Sequence, residues 1–413
     1  MTRQSKVSYL PKDMRWRGAL LLVTADTPAA ALIGGFKKSV GTKTRCFCRH
    51  CVITHDKLAS QDSFSHRYEF RNCASHKGEV DAQSKCIRQG RRDDRKELSR
   101  LSGVCADKKD SHCFVWPVMP WFDVSTCIPN DLMHVELEGE LKWITYVTMW
   151  HCVKTKIFSV AEMNDRMRSW LWKKDPEYTS NDRPLPFAPH RFEGADFFAK
   201  KSCPKMSAGQ LLCFTRHAIG IFKALMPNFG QDPVTAHYIL HRDYFMELMK
   251  HEIKREDVPR LHEMIVTAHD AYSKLSLARI HPKTHYSTHF KDDIYNFGPP
   301  RHYWTMRCEA KHKCFKRYAR MDGQWYQLRP IIARRHQRNV ALGSEPACNR
   351  LPIPACSVPD VHVEFVECDV TAEGDADIQA TLDMEDEFSH DPTEEDPDVV
   401  LNLSDYEWFP VDR

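Results

Sequence analysis

Two cysteines near the start of the chain and two histidines more than two hundred residues later constrain this fold most. Cys48-Arg-His-Cys51 separates its thiols by two residues, the spacing that lets both sulfurs reach one zinc ion. His285 and His289 stand four apart, which places both imidazoles on one side of a helical stretch. Zinc takes four nitrogen or sulfur ligands in a tetrahedron, so each pair is half a site. A chain with 22 histidines and 16 cysteines also produces such pairs by chance. The sequence therefore predicts one site built from distant segments, with accidental pairs as the alternative.

Each pair has an acid about twenty residues away in sequence, Asp26 before the cysteines and Glu309 after the histidines. Asp26 closes the apolar run GALLLVTAD, which reads as a buried strand. A carboxylate at the end of a strand is a common hard ligand for Mg²⁺ or Mn²⁺. Two such ions can activate the attacking oxygen and steady the leaving one in phosphoryl displacement. The plainer reading of Asp before Thr-Pro is a turn or a helix cap. Glu309 sits in MRCEAKH, where an acid ahead of lysines is also ordinary helix electrostatics. Asp131 and His134 can meet across one helical turn, so Asp131 could orient the imidazole or simply cap a helix.

Charge bounds the partners. The net charge is +3, yet residues 351–412 hold 19 acids and no Lys or Arg, leaving 58 basic and 37 acidic residues in 1–350, a net of +21. So basic a body attracts polyanions, and nucleic acid is its natural partner, although charge alone does not separate DNA from RNA. The acidic tail reads as disordered, either solvating or folding back to compete with nucleic acid. Hydrophobic residues make up 42% and charged residues 28%, as in soluble proteins. The apolar run is too short for a membrane span or a signal peptide, so the expectation is an intracellular chain with reduced cysteines and no membrane partner.

Along the chain, 29–36 reads as a helix broken at Gly34-Gly35, and 41–60 as a cysteine-rich turn region. A polar, basic run over 60–110 reads as solvated helix or loop, or, given its closeness to the cysteine pair, as a phosphate-contacting element. Helical patterns follow from about 129 to 150, then over 207–226, 232–250 and 257–277, with Ser207, Asp232 and Asp257 as caps. Residues 304–320 again read as helical, carrying Lys311, Lys313, Lys316, Arg317 and Arg320. A basic segment with Arg334 and Arg335 comes next.

In combination and order, ADTPAAALIGGFK, CFCRHC, IPNDLMHVELEGELK, HPKTHYSTHFKDDIYNFGPPRHYWTMRCEAKHKCFK and LRPIIARRHQ resemble the CACTA (En/Spm-like) class of DNA transposases. The resemblance spans roughly 18–340, with 52–110 and 150–205 matching poorly. It implies a mixed α+β, predominantly α chain: a partial RNase H-like nuclease core interrupted by a large helical insertion. The implied blocks are 1–60 (core with the Cys-x-x-Cys), 61–280 (helical insertion), 281–345 (the rest of the core) and 346–413 (acidic tail). On this map Asp26 and Glu309 are the second and third catalytic acids, Asp131 and His134 the Asp-x-x-His signature, and Cys48, Cys51, His285 and His289 a structural zinc site. The basic residues from Lys311 to Arg335 would bind DNA. A nuclear location and a homodimer are further implications, and no small-molecule substrate is expected.

One departure follows from arithmetic. The first acid of that fold lies on the first strand, and strands and turns ahead of the second acid need roughly forty residues or more. Only 25 residues precede Asp26, and Asp13 is too close. The expectation is a chain beginning inside the nuclease domain, with strand cleavage impaired. The alternative is a noncatalytic, zinc-stabilised DNA- or chromatin-binding derivative.

Overall fold

The computed structural model describes residues 21–38, 44–58, 60, 68–106, 122–174, 177–178, 182–192, 205–275, 280–306 and 308–309. Two compact units are present, one of 1–186 with 206–304 and one of 187–205 with 305–413. Segments of the expected 1–60, 61–280 and 281–345 blocks all contribute to the first unit. The basic residues Lys311, Lys313, Lys316, Arg317, Arg320, Arg334 and Arg335, and the acidic tail, lie outside the described residues.

Helices dominate. The first unit contains α1 (Thr27–Gly34), α2 (Cys73–Arg88) and α3 (Arg92–Ser102). A π-helical stretch over Met133–Glu140 then runs directly into α4 (Leu141–Lys154). After these come α5 (Val160–Ser169), α6 (Ala208–Leu225), α7 (Pro233–Leu248), α8 (Val258–Ser273), α9 (Pro282–Tyr286) and α10 (Phe290–Phe297). No described helix is long and apolar enough to cross a membrane.

The expected strand over 18–25 is not seen as one. Residues 18–20 lie outside the described residues; 21–26 have no regular secondary structure, and Val23 N–H donates to the Cys127 carbonyl at 2.9 Å without a ladder forming along them. Among the described residues β-structure is confined to isolated bridges, Phe36 with Val104, Cys46 with Thr54 and Cys51 with Phe70. An apolar run becomes a strand only where a partner offers a row of donors and acceptors. Here Val23 and Ala25 instead pack against an apolar cluster of Ala30, Ala31, Phe36, Val80, Val104, Phe122, Val124 and Ile128.

Local chemistry explains the helix ends. The Ser207 hydroxyl accepts from Gln210 N–H while Gln210 returns a bond to Ser207 N–H, a reciprocal cap that starts α6. Asp232 caps α7 through Val234 and Thr235 N–H, with Pro233 at the first helical position. Asp257 makes no such side-chain bond at the start of α8. Between α6 and α7, Phe222 stacks on Phe229 with ring centroids 4.5 Å apart and meets Tyr238 edge-on at 5.4 Å. Phe158 and Phe214 join this aromatic core, which packs α6 against α7.

Candidate metal centre

The cysteine turn is held from inside. Cys46 bridges to Thr54 and Cys51 to Phe70, so 46–54 folds back on itself and pairs with 68–71. His50 N–H lies 3.4 Å from Cys48 Sγ, and Ile53 N–H supports Cys51 in the same way. Each sulfur thus receives a backbone donor from two residues on. Gly103 makes the turn's close packing feasible: its φ is +74°, and a Cβ there would lie 2.0 Å from the Cys46 carbonyl oxygen.

Arg71 organises the same turn. Its Nε donates to both Cys48 O at 3.0 Å and Cys51 O at 3.1 Å, Nη1 pairs with Glu79 at 3.0 Å, and Nη2 bonds Ser102 O. The guanidinium is almost fully buried, and its fork geometry satisfies several acceptors at once.

The histidines arrive on a nearly continuous helical path, α9, a 3₁₀ turn over Ser287–His289, then α10. Pro282 begins α9 and His281 flanks it as the cap. His285 Nε2 lies 3.2 Å from Cys51 Sγ and His289 Nε2 lies 3.3 Å from Cys48 Sγ, with the two Nε2 atoms 3.1 Å apart. All four side chains are buried and their ligand atoms lie within 4.8 Å of one another. Zinc bonds of about 2.3 Å to sulfur and 2.0–2.1 Å to nitrogen give tetrahedron edges of roughly 3.3–3.7 Å. Three of the six edges, at 3.1–3.3 Å, are a few tenths shorter, so along them a central ion requires only a slight outward movement. Two thiols and two imidazoles converging in a buried cluster suit zinc, and the donor set therefore fits a structural Cys₂His₂ centre.

The proton inventory agrees. Burial opposes the Cys48 thiolate, but a hydrogen bond from Cys51 and the charges of His289 and His285 pull its pKa well below the usual thiol value. Burial, with the neighbouring Cys48, pushes Cys51 up. Burial also opposes the His289 cation, yet Cys48 wins and raises it. These shifts favour negative charge on Cys48 beside positive charge on His289, and a bound dication would take over that charge compensation.

Surrounding groups lock the ligand segments. Thr288 Oγ1 donates to the His285 carbonyl at 2.7 Å, so the Tyr68 hydroxyl donates to Thr288 at 2.8 Å while its ring covers both histidines. His50 Nδ1–H donates to Ser125 O at 2.7 Å, and burial lowers its pKa to about 3. Asn130 joins all three regions: Oδ1 accepts from Arg49, Nδ2 donates to Tyr286 O, and its N–H donates to Asp293.

The other expected residues fall as follows. Asp26 caps α1, Oδ1 accepting from Ala29 N–H at 2.7 Å, which is the plainer of its two readings. Glu309 belongs to the second unit, half-buried, with its N–H donating to Thr305 O at 3.0 Å. Asp131 and His134 do pair, Oδ2 to Nδ1 at 2.5 Å.

A second buried polar network escaped the sequence reading. Glu136 Oε2 meets His241 Nε2 at 2.8 Å, Tyr244 donates to Glu136 Oε1 at 3.1 Å, and His269 Nε2 contacts Ser287 Oγ at 2.6 Å. Burial raises Glu136 and Glu140 to about 8 and lowers His241 and His237 to about 3. Glu136 is therefore the neutral acid donating to a neutral imidazole. Ser287 in turn bonds Thr284 O, so this network seats the histidine-bearing segment. A lone Glu between Val135 and Leu137 carries no sequence signal of such a role.

Comparison with family models, with curated proteins and with solved structures returned no match.

Proposed function

We propose that this chain is a zinc-stabilised DNA-binding protein of CACTA transposase descent, acting in the nucleus. The observation that carries the reading is the meeting of Cys48 and Cys51 with His285 and His289 across more than two hundred residues. The resemblance implies that pairing. The net charge of +21 over 1–350 supports a polyanionic partner. In this reading the ion ties a helical insertion to an RNase H-like core and performs no chemistry.

The noncatalytic form of the proposal is favoured by one specific observation, the engagement of the Asp26 carboxylate as a helix cap. Asp26 and Glu309 would hold Mg²⁺ or Mn²⁺ in a catalytic nuclease; with the Asp26 carboxylate committed to the cap, strand cleavage should be weak. Incubating the purified chain with labelled DNA and Mg²⁺ or Mn²⁺ tests this, and efficient cleavage would overturn the noncatalytic assignment. Binding to DNA, followed by anisotropy across a salt series, tests the larger claim. Affinity is expected to fall steeply with salt, each neutralised phosphate adding about 0.9 to the log–log slope. Absence of binding at low salt would end the DNA-binding reading.

A further inference from the structure

The Asp131–His134 pair does more than close a turn. Asp131 Oδ2 accepts from His134 N–H at 3.1 Å and from His134 Nδ1–H at 2.5 Å. The Asp131 side chain is 3% exposed and that of His134 14%. A buried carboxylate on Nδ1 fixes that nitrogen as the donor and orients the ring with Nε2 directed away from it. Carboxylate–histidine pairs of this kind orient and strengthen imidazole ligands in metal sites.

Nε2 faces Glu138, whose Oε2 is 3.7 Å away and whose side chain is 40% exposed. That span is too long for a hydrogen bond but suits two ligands of one ion. At bond lengths near 2.1 Å, neighbouring ligands of a tetrahedral or octahedral ion lie about 3.0–3.4 Å apart. The surface-facing carboxylate needs only a small swing. The π-helical winding of Met133–Glu140 sets this register, and π turns recur at functional sites. We propose that His134 Nε2 and Glu138 Oε2 bind a divalent transition ion of the Mn²⁺ type. Water would complete its coordination, and Asp131 would act as the positioning residue.

An imidazole with a carboxylate and open positions differs in kind from the buried tetrad, so this site stands independently of the zinc assignment. Lys283 donates to the Glu138 carbonyl at 3.1 Å, and its charge works against the ion, which makes the site weaker than the tetrad.

The test uses the full chain with zinc first supplied to the tetrad, then titrated with Mn²⁺ and read by electron paramagnetic resonance. One bound Mn²⁺ showing imidazole-nitrogen coupling is expected. His134→Ala and Glu138→Gln should abolish that coupled ion, and Asp131→Asn should weaken it about tenfold or more. Zinc content, unchanged across the variants, reports the tetrad and the fold separately. Wild-type protein without nitrogen-coupled Mn²⁺, or coupling that persists in His134→Ala, would overturn the site. If His134→Ala also loses zinc, Glu138→Gln decides in the same way.

Discussion

Arg71 shows how one side chain holds the candidate centre without touching an ion. It satisfies the carbonyls of both cysteines and the Ser102 carbonyl from a buried position. Arg71→Ala orphans several buried acceptors at about 1–3 kcal/mol each, so a loss of roughly 3 kcal/mol or more is expected in denaturant unfolding. Its importance is invisible in sequence, where it sits in a polar, basic run. Glu136 offers a sharper test. Its folded-state pKa, near 8, lies above the ordinary 4.5, so its stabilising contribution is complete below about 4.5 and is lost as pH rises through 8. His241 runs the other way, present above 6.5 and lost as pH falls toward 3. Glu136→Gln reproduces the neutral acid's bonds to His241 and Tyr244. The variant should match wild type at pH 4.5 and exceed it increasingly toward pH 8, by roughly 1.4 kcal/mol per pH unit at most. Parallel urea titrations across pH would show the two curves separating; curves that stay parallel would count against a protonated Glu136.

At the scale of elements, the winding of 133–140 is the feature with most consequence. Gly139 adopts φ −134°, ψ −109° inside it, and a Cβ there would lie 2.5 Å from Lys283 Cδ and 3.0 Å from the His134 carbonyl oxygen. Gly139→Ala must therefore push on α9 or on the helix backbone. A cost of about 1–3 kcal/mol is expected from overpacking, with the midpoint of thermal unfolding as the readout. The caps at Ser207 and Asp232 were legible because a polar residue before an apolar helical pattern has a local cause. The π winding was not, because it depends on what packs against the helix. The apolar run ending at Asp26 misled for a related reason: its composition suits a strand, but among the described residues it gains one backbone bond and an apolar bed instead of a ladder.

Over the whole molecule, the tetrad was the most legible long-range feature, since ligand chemistry and spacing do not depend on intervening secondary structure. Its supporting shell was not legible; Tyr68, His50 and Asn130 are ordinary residues until folding brings them together. Removing the ion should take away the bridge between the two ligand pairs and loosen the join between the 46–54 turn and the helices around 282–297. Chelation is thus expected to lower the unfolding temperature reversibly and to speed backbone exchange in both segments, which hydrogen exchange would map. Loosening confined to one of them would argue that no ion bridges the two.

The most direct measurement is the zinc content of the purified full-length chain beside Cys48→Ala and His289→Ala. The account predicts one tightly held zinc per wild-type chain and none in either variant, because losing a ligand from either segment opens the same tetrahedron. Wild-type protein that folds but takes up no zinc, or variants that retain it at the wild-type level, would contradict it.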